Sequence, residues 1–144
     1  MDFDESDIRS AALCAWKEAR GEGADGMRAV LHVLRNRVGF TGFAYSLHDV
    51  IYGKNQFTSM SVPSDPEFNL QPDEDDQVFT EALTMAQTIF HGAEPDELPD
   101  PTSGAHYYAN LHNVSRDGWF YKNVVLDSRS HAVTAQIGRH TFFF

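Results

Sequence analysis

Two apolar stripes at helical spacing, separated by a short glycine-flanked turn, constrain this chain more than any other feature. The first stripe predicts a helix over residues 6–20, and the second predicts a helix from Asp25 or Gly26 to about Val38, which Gly39 ends. The stripes consist of Ile8, Ala11, Ala12, Ala15, Trp16 and Ala19, and of Met27, Val30, Leu31, Leu34 and Val38. Because only a few residues join the two helices, the sequence favours a helical hairpin or corner.

A carboxylate stands at the end of the first apolar stripe. Glu18 follows Cys14 by four residues and Ala11 by seven, so it shares the buried face of the predicted first helix. The negative end of the helix dipole lies in the same turn and disfavours an anion. Burial and the dipole therefore both favour the protonated acid, which is the form that a general acid needs. The alternative is a structural ion pair between Glu18 and Arg20 or Arg35.

A second glutamate lies in the turn itself. Glu22 is flanked by Gly21 and Gly23 past the end of the helix, so we expect it to be better solvated than Glu18. Two carboxylates in different environments can divide acid and base roles between them. Both are therefore candidates for catalysis, and Glu18 ranks first because of its predicted burial.

The remaining patterns predict an α+β fold in which helices dominate and a small irregular β region lies in the C-terminal part. A short capped helix is expected over residues 46–52. It is followed by loop structure with one short strand around residues 56–58. Pro72 opens a third long helix over about residues 73–91, and Gly92 ends it.

The chain changes character at an acidic, proline-containing connector over residues 93–103. Beyond it, short aromatic segments predict irregular loops and small strands without another helix. Residues 133–143 are β-prone, with a break at Gly138. The length of 144 residues is typical of one domain, and we expect a single domain over residues 1–144.

Charge and cysteine content narrow the possible partners and compartments. The formal net charge of -10 argues against binding to nucleic acid or to anionic membranes. Cys14 is the one cysteine, so no intrachain disulfide forms, and its place on the apolar face predicts a core residue. No run of residues is long enough to cross a bilayer, and the acidic N-terminus lacks the apolar segment of a secretory signal. We expect a monomer made in the cytoplasm without a signal peptide.

Aromatic and amide side chains predict a surface that binds sugars. The flat C–H faces of sugar rings stack on rings such as Tyr107, Tyr108 and Trp119, and their hydroxyls bind amides such as Gln56 and Asn110. The alternative is that these aromatic residues belong to the core or to strands. A buried glutamic acid beside a sugar suits cleavage of a glycosidic bond, whose leaving oxygen must be protonated as the bond breaks.

The sequence gives little indication of metal or cofactor chemistry. Its histidines lack the short spacing of metal ligands, and Cys14 stands alone. A phosphate-binding glycine-rich loop and a G-x-S-x-G nucleophile motif are absent from the sequence. We therefore expect no metal and no cofactor. A dyad of Cys14 with a histidine would need a buried thiol to become exposed.

A series of short motifs runs in order along nearly the whole chain. They are Glu18-Ala19-Arg20-Gly21-Glu22, Gly26-x-x-Ala29-Val30, Leu34-x-Asn36-Arg37-Val38, Gln56-Phe57-Thr58, the stretch from Asp100 to Asn110, Trp119, and Ile137-Gly138-Arg139-His140-Thr141-Phe142. Together they resemble the SleB-type cell-wall hydrolases, which are the spore-cortex-lytic enzymes and their phage and bacterial relatives. The chain departs from that pattern at Ser103, where the family has a second glycine, at Ala109, where it has a third tyrosine, and by an insertion over residues 111–118.

The resemblance implies a compact lysozyme-like α+β fold and cleavage of the peptidoglycan glycan strand between N-acetylmuramic acid and N-acetylglucosamine. It carries the general acid over to Glu18, with Glu22 second. Substrate binding is carried over to Gln56, Phe57, Tyr107, Tyr108, Asn110 and Trp119. Members of the family act as lytic transglycosylases, in which the muramyl C6 hydroxyl closes on its own anomeric carbon. The resulting 1,6-anhydro product needs neither water nor a second catalytic carboxylate.

Other functions stay open at this point. A muramidase would use the same site and add water, whereas a non-catalytic peptidoglycan-binding module would use the cleft without chemistry. A cysteine amidase or peptidase is a more distant alternative. The small size and the lack of a signal are typical of a phage endolysin that meets the wall after holin-type release, and a bacterial protein used at cell death also fits.

Overall fold

The computed structural model describes residues 2–54, 56–92 and 98–144, so the first part of the predicted connector, residues 93–97, lies outside the described residues. The helices are α1 (Glu5–Ala19), α2 (Gly23–Arg37), α3 (Leu47–Tyr52), α4 (Thr58–Ser61) and α5 (Gln77–His91). The strands are β1 (Tyr107–Ala109), β2 (Val133–Ile137) and β3 (His140–Phe143). Short 3-10 turns lie at Arg20–Glu22 and Leu111–Asn113, and a π-helical turn lies at Tyr121–Val125. Helices dominate and the small sheet is C-terminal, which confirms the predicted α+β class.

Both predicted helices are present, and a tight turn of three residues joins them. Asp4 caps α1 by accepting a hydrogen bond from the backbone N–H of Ser6 at 2.7 Å. A 3-10 turn leads into α2 through Gly23, whose φ of 76° favours glycine. A Cβ on Gly26 would lie 2.5 Å from the Cβ of Glu22, so this glycine makes room for the turn. The end of α1 and the start of α2 therefore lie side by side.

The helices α1, α2 and α5 enclose the main hydrophobic core. Cys14 is fully buried in it, which confirms its prediction as a core residue. Other fully buried side chains of this core are Ile8, Met27, Val30, Leu31, Leu34 and Ile51. α5 begins at Gln77, later than predicted, because the Asp76 side chain accepts a hydrogen bond from the Phe79 N–H at 2.9 Å. Gly92 ends this helix with a φ of 56°, as predicted.

Two predictions of secondary structure are wrong. Residues 56–58 form no strand, because Thr58–Ser61 is a helical turn to which Lys17 of α1 donates a hydrogen bond at the Ser59 carbonyl. Tertiary contacts outweigh the strand preference of so short a segment. The C-terminal part does contain another helical segment, the π-helical turn Tyr121–Val125, anchored by the buried Val124. Its wider hydrogen-bonding pattern leaves no 3.6-residue periodicity to recognise.

The three strands lie in the order β1-β3-β2, and both neighbouring pairs are antiparallel. The hairpin between β2 and β3 turns at Gly138, the predicted break, whose φ is 57°. Phe142 of β3 packs with Ala29 and Val33 of α2, so the sheet is held against the helical layer. Tyr108 of β1 is paired with Phe142 in register. This pairing brings Tyr108 to the end of α1.

The loop that precedes β1 is held by Asp100. Its carboxylate accepts hydrogen bonds from the backbone N–H groups of Thr102 (2.8 Å) and Gly104 (3.0 Å) and from Nδ2 of Asn36 on α2 (3.0 Å). Burial raises the pKa of Asp100, but the hydrogen bonds from Thr102 and Asn36 outweigh it, and the pKa lies below its usual value. The loop therefore fixes the start of β1 relative to α2.

Ser103 of this loop has a φ of 57°, a conformation that side chains other than glycine rarely adopt. We expect Ser103→Gly to raise the free energy of unfolding by up to about 1 kcal/mol, because the steric cost of the left-handed conformation exceeds the entropy that glycine adds to the unfolded chain. Urea titration measures the change. Ser128→Gly, at an exposed position without a positive φ, is the control and should not stabilise the protein. If both variants lowered the free energy of unfolding by the same amount, the backbone of Ser103 would not be strained.

Candidate functional site

A cleft of about 800 Å³ opens between the helical layer and β1, a volume typical of small-ligand sites. Its lining comes from the ends of α1 and α2, the loop after α2, the segment before α4, β1 and residues 119–120. The lining residues are Glu18, Arg37, Gly42, Phe43, Gln56, Phe57, Tyr107, Tyr108, Trp119 and Phe120. Six of the predicted site residues are thereby brought together, namely Glu18, Gln56, Phe57, Tyr107, Tyr108 and Trp119.

Glu18 lies in the last turn of α1, half-buried, with both carboxylate oxygens hydrogen-bonded by hydroxyls. Tyr108 Oη donates to Oε1 at 2.7 Å, and Ser59 Oγ donates to Oε2 at 2.9 Å. The ion-pair alternative is wrong, because Arg20 pairs with Glu67 and Arg35 donates to the carbonyl of Ile89. Glu18 is therefore held by neutral groups at the edge of a cleft, where it can exchange a proton with a ligand.

The two hydroxyl partners of Glu18 differ in what they can do. Burial, followed by the charge of Glu18, raises the pKa of Tyr108 well above its usual value, so the phenol keeps its proton and remains a donor. The Ser59 hydroxyl can rotate, so at the same heavy-atom distance it can donate to the carboxylate or accept from the acid. The site therefore accommodates Glu18 in both protonation states without moving its oxygens. This is what a residue acting first as an acid and then as a base requires.

The walls of the cleft are aromatic. Trp119 is 64% exposed, so its ring is free to stack on a ligand, whereas Phe57 is only 4% exposed and contributes mainly to the floor. Tyr107 of β1 also lines the cleft, with its ring centroid 5.5 Å from that of Phe43 and 6.4 Å from that of Phe120. Aromatic rings that line one cleft with a carboxyl group match the C–H faces of a sugar chain.

Arg37 forms the floor of the cleft and was not predicted as a site residue. Its Nε donates to the carbonyl of His106 at 2.7 Å, and Nη1 lies 3.3 Å from Oε1 of Gln56. The guanidinium carbon lies 4.9 Å from the ring centroid of Phe43 and 5.0 Å from that of Phe57. Burial lowers the pKa of Arg37, but a guanidinium stays charged in proteins. A buried cation therefore faces the cleft.

A sequence signal for Arg37 was available. It follows Leu34 by three residues and Val30 by seven, so helical spacing places it on the apolar face of α2. Glu18 was placed on the apolar face of α1 by the same kind of reasoning, from its offsets of four and seven residues. Glu18 and Arg37 therefore share one sequence signal, because each is a charged residue at a position of an apolar helical stripe.

Glu22 and Asn110 are the two predicted site residues that do not line the cleft. Glu22 lies against the hairpin between β2 and β3, where Oε2 accepts a hydrogen bond from the backbone N–H of Arg139 at 3.4 Å. Asn110 Oδ1 accepts from the backbone N–H of His112 at 3.1 Å and caps a 3-10 turn. Both side chains have structural contacts, and their roles in chemistry or sugar binding stay predictions.

Ser59 was also missed, and its position depends on a buried lysine. Lys17 Nζ donates to the carbonyl of Ser59 at 3.1 Å and to that of Phe68 at 2.8 Å. Burial lowers the pKa of Lys17 from its usual value. These bonds attach the α4 turn and the following loop to α1. They thereby place the Ser59 hydroxyl beside Glu18.

Removal of the Ser59 hydroxyl should weaken the function of Glu18 without removing it. We expect Ser59→Ala to lower kcat roughly tenfold, because a hydrogen bond to a charged group is lost from Oε2. Ser61→Ala, in the same turn, removes a hydroxyl that bonds to the carbonyl of Phe57 instead of Glu18 and should leave kcat within about twofold. Steady-state rates on solubilised glycan strands, the substrate that the resemblance implies, give the comparison. Similar rates for the two variants would show that Ser59 does not support Glu18.

Comparison with known proteins shows the family to which this chain belongs. The profile of the Cell Wall Hydrolase family matches residues 21–143, which is most of the chain. The chain belongs to the Cell Wall Hydrolase family. This confirms the resemblance to the SleB-type hydrolases and the expectation of an enzyme. Glu18 lies just before the matched residues, so its assignment depends on the cleft itself.

Two relatives of this chain can be aligned with almost its whole length. The chain is 27% identical over 140 residues to the spore cortex-lytic enzymes of Halalkalibacterium halodurans and Oceanobacillus iheyensis. The match covers 97% of this chain but 35% and 42% of those proteins, so the chain spans well under half of their length.

Two solved structures share the fold. The catalytic domain of the Bacillus cereus SleB protein matches with a TM-score of 0.70 and 25% identity, covering 99% of this chain and 92% of that one. The catalytic domain of the germination-specific lytic transglycosylase SleB from Bacillus anthracis matches with the same TM-score and identity and is covered to 97%. The predicted α+β fold is therefore the fold of SleB catalytic domains.

The part of the chain that the structure describes contains no helix that is both long and apolar enough to cross a membrane. Within the same residues, no group of three or more histidine, cysteine, aspartate and glutamate side chains is arranged to hold a metal ion.

Proposed function

We propose that this protein cleaves the glycan strand of peptidoglycan as a lytic transglycosylase, at the bond between N-acetylmuramic acid and N-acetylglucosamine. The observation that carries the proposal is the composition of the cleft. Among the described residues that line it, Glu18 is the one carboxylate, and six of the other nine residues are aromatic. Hydrolytic glycosidases generally use two carboxylates, whereas a transglycosylase uses a hydroxyl of its own substrate.

The reaction uses Glu18 twice. As the acid, Glu18 donates its proton to the glycosidic oxygen while the bond from that oxygen to C1 of the muramyl residue breaks. The resulting carboxylate then takes the proton of the muramyl C6 hydroxyl as that oxygen attacks C1. A 1,6-anhydro ring forms, the second sugar leaves with a free hydroxyl, and Glu18 is protonated again. No water is consumed.

The residues around Glu18 support each step. Tyr108 keeps its proton and donates to Oε1, which stabilises the carboxylate formed in the first step. Ser59 can follow the change in charge at Oε2 by rotating its hydroxyl. Trp119 and Tyr107 offer ring faces for the sugars on the open side of the cleft.

The cysteine alternative has no support in this site. Cys14 is fully buried in the helical core and does not line the cleft. Burial, and then the charge of Glu18, raises the pKa of the Cys14 thiol well above its usual value. A thiol that stays protonated and covered is a poor nucleophile.

Digestion of purified sacculi tests the bond class. We expect soluble glycan fragments that still carry their peptides, with no increase in free amino groups. New amino groups without shortened glycan strands would indicate an amidase or peptidase, and binding without release would indicate a non-catalytic module.

The cellular part of the proposal is an endolysin role, in which a protein made in the cytoplasm reaches the wall after holin-type release. Expression in a bacterial cytoplasm should leave cells intact until a holin is co-expressed. Lysis that does not depend on the holin would contradict this route.

A further inference from the structure

The floor of the cleft holds a cation that has no anionic partner in the described part of the protein. Arg37 is 7% exposed, and both of its side-chain hydrogen bonds end on neutral acceptors, the carbonyl of His106 and the amide oxygen of Gln56. No carboxylate oxygen of the described residues lies within 4.0 Å of its guanidinium. Burying a charge without a counter-ion is costly, so such an arrangement points to a partner that arrives from outside.

Glu18, the carboxylate that lines the same cleft, does not serve as the anionic partner of Arg37. Glu18 lines the same cavity, but its oxygens are occupied by the hydroxyls of Tyr108 and Ser59. The pairing of Arg37 with Glu18 would also hold the latter as a carboxylate, against its use as an acid. The two charged groups therefore line the same cleft but have different hydrogen-bond partners.

Arg37 can exchange its weaker hydrogen-bond partner, Gln56, for a group of a ligand. The 3.3 Å contact from Nη1 to Gln56 is long, and Gln56 is an exposed residue at the mouth of the site. The rings of Phe43, Phe57 and Tyr107 lie 4.9, 5.0 and 5.6 Å from the guanidinium carbon. Their cation–π contacts hold the guanidinium in place. An arginine fork fixed in this way matches a carboxylate, which accepts two parallel hydrogen bonds.

The negative charge of the rest of the protein makes Arg37 the position at which an anionic group of a ligand is favoured. The chain carries a formal net charge of -10, so an anionic polymer gains little from its surface as a whole. Among the described residues that line the cleft, Arg37 is the one cation. A negative group on a bound strand would therefore be favoured at this position alone.

We propose that Arg37 binds a carboxylate of the substrate, so that the cleft selects glycan strands with a free carboxylate close to the bond that is cleaved. This inference rests on the proposed function. The carboxylate has two possible sources with the same chemistry, the lactyl group of a muramyl residue without a peptide and the stem peptide of a muramyl residue that carries one. Arg37 is in this role a specificity residue, distinct from the acid.

Wild-type protein and two matched pairs of soluble strands give the test. One pair consists of peptide-free strands with free lactyl carboxylates and the same strands converted to primary amides, which have nearly the same shape. The other pair consists of peptide-bearing strands with free and with amidated carboxylates. We expect kcat/KM to fall at least about tenfold on amidation in one pair, mainly through KM, and that pair identifies the source. Equal rates within both pairs would overturn the role of Arg37, whereas cleavage of none of the four would overturn the proposed function.

Two variants separate recognition from a structural role. Arg37→Gln should lose the preference for free carboxylates, so that its rates on the free and amidated strands become equal. Arg139→Gln, at the exposed hairpin turn between β2 and β3, is the control and should keep the preference. A variant at Arg37 that slows both strands alike and keeps the wild-type preference would overturn the inference. The wild-type comparison decides the matter if Arg37→Gln does not fold.

Discussion

Glu18→Gln should lose at least about a thousandfold in the rate of glycan cleavage while keeping the fold. The amide has nearly the same shape and can still accept a hydrogen bond, but it can neither donate the acidic proton nor take it back. Both chemical steps depend on that exchange, so the loss falls on kcat. The fall in turbidity of purified sacculi measures it, and circular dichroism checks that the variant is folded.

Glu22→Gln is the matched control for this experiment. Glu22 follows the same helix by a few residues, but it lies against the β2–β3 hairpin and does not line the cleft. We expect its variant to keep the rate within a few-fold. If Glu18→Gln stayed active and Glu22→Gln did not, the acid would have to be reassigned to Glu22.

Tyr108→Phe should lower kcat by roughly ten- to a hundredfold, the second largest effect among single substitutions. It removes the donor to Oε1 of Glu18 but keeps the ring, which lies 5.6 Å from that of Phe142. The loss should persist across the neutral range, because the raised pKa of Tyr108 keeps the wild-type phenol protonated there.

Tyr107→Phe gives the comparison for Tyr108. Tyr107 lines the same cleft from the neighbouring position of β1 but has no hydrogen bond to Glu18. Its variant should change KM more than kcat. Wild-type kcat in Tyr108→Phe would show that the phenol only packs against the acid and does not support its charge.

The helical part of this fold could be predicted from local patterns. The offsets from Ala11 and Cys14 placed Glu18 on the buried face of α1, and the structure confirms this position at the edge of the core. Arg37 was within reach of the same reasoning on α2, because it continues the stripe of Val30 and Leu34. What local spacing could not supply was the shared cleft, which depends on how the ends of both helices meet.

The remaining parts of the site depend on contacts between distant segments. Ser59 lies in a turn that looked like a strand and is held by Lys17, 42 residues earlier in the sequence. Tyr108 reaches Glu18 because β1 pairs with β3, and this register is determined by the packing of Phe142 on α2. The contact of Glu22 with the β2–β3 hairpin joins residues that are 117 positions apart in the sequence. No local pattern carries such information.

Cleavage of purified glycan strands in water enriched in heavy oxygen, followed by mass spectrometry, tests the central claim most directly. A lytic transglycosylase gives fragments that end in 1,6-anhydro-N-acetylmuramic acid, lighter by one water than a reducing end, and without the heavy label. A muramidase adds water to C1, so its fragments end in a reducing sugar that carries the label. We predict unlabelled anhydro ends in the wild type and neither product with Glu18→Gln. Labelled reducing ends as the main product would contradict the account.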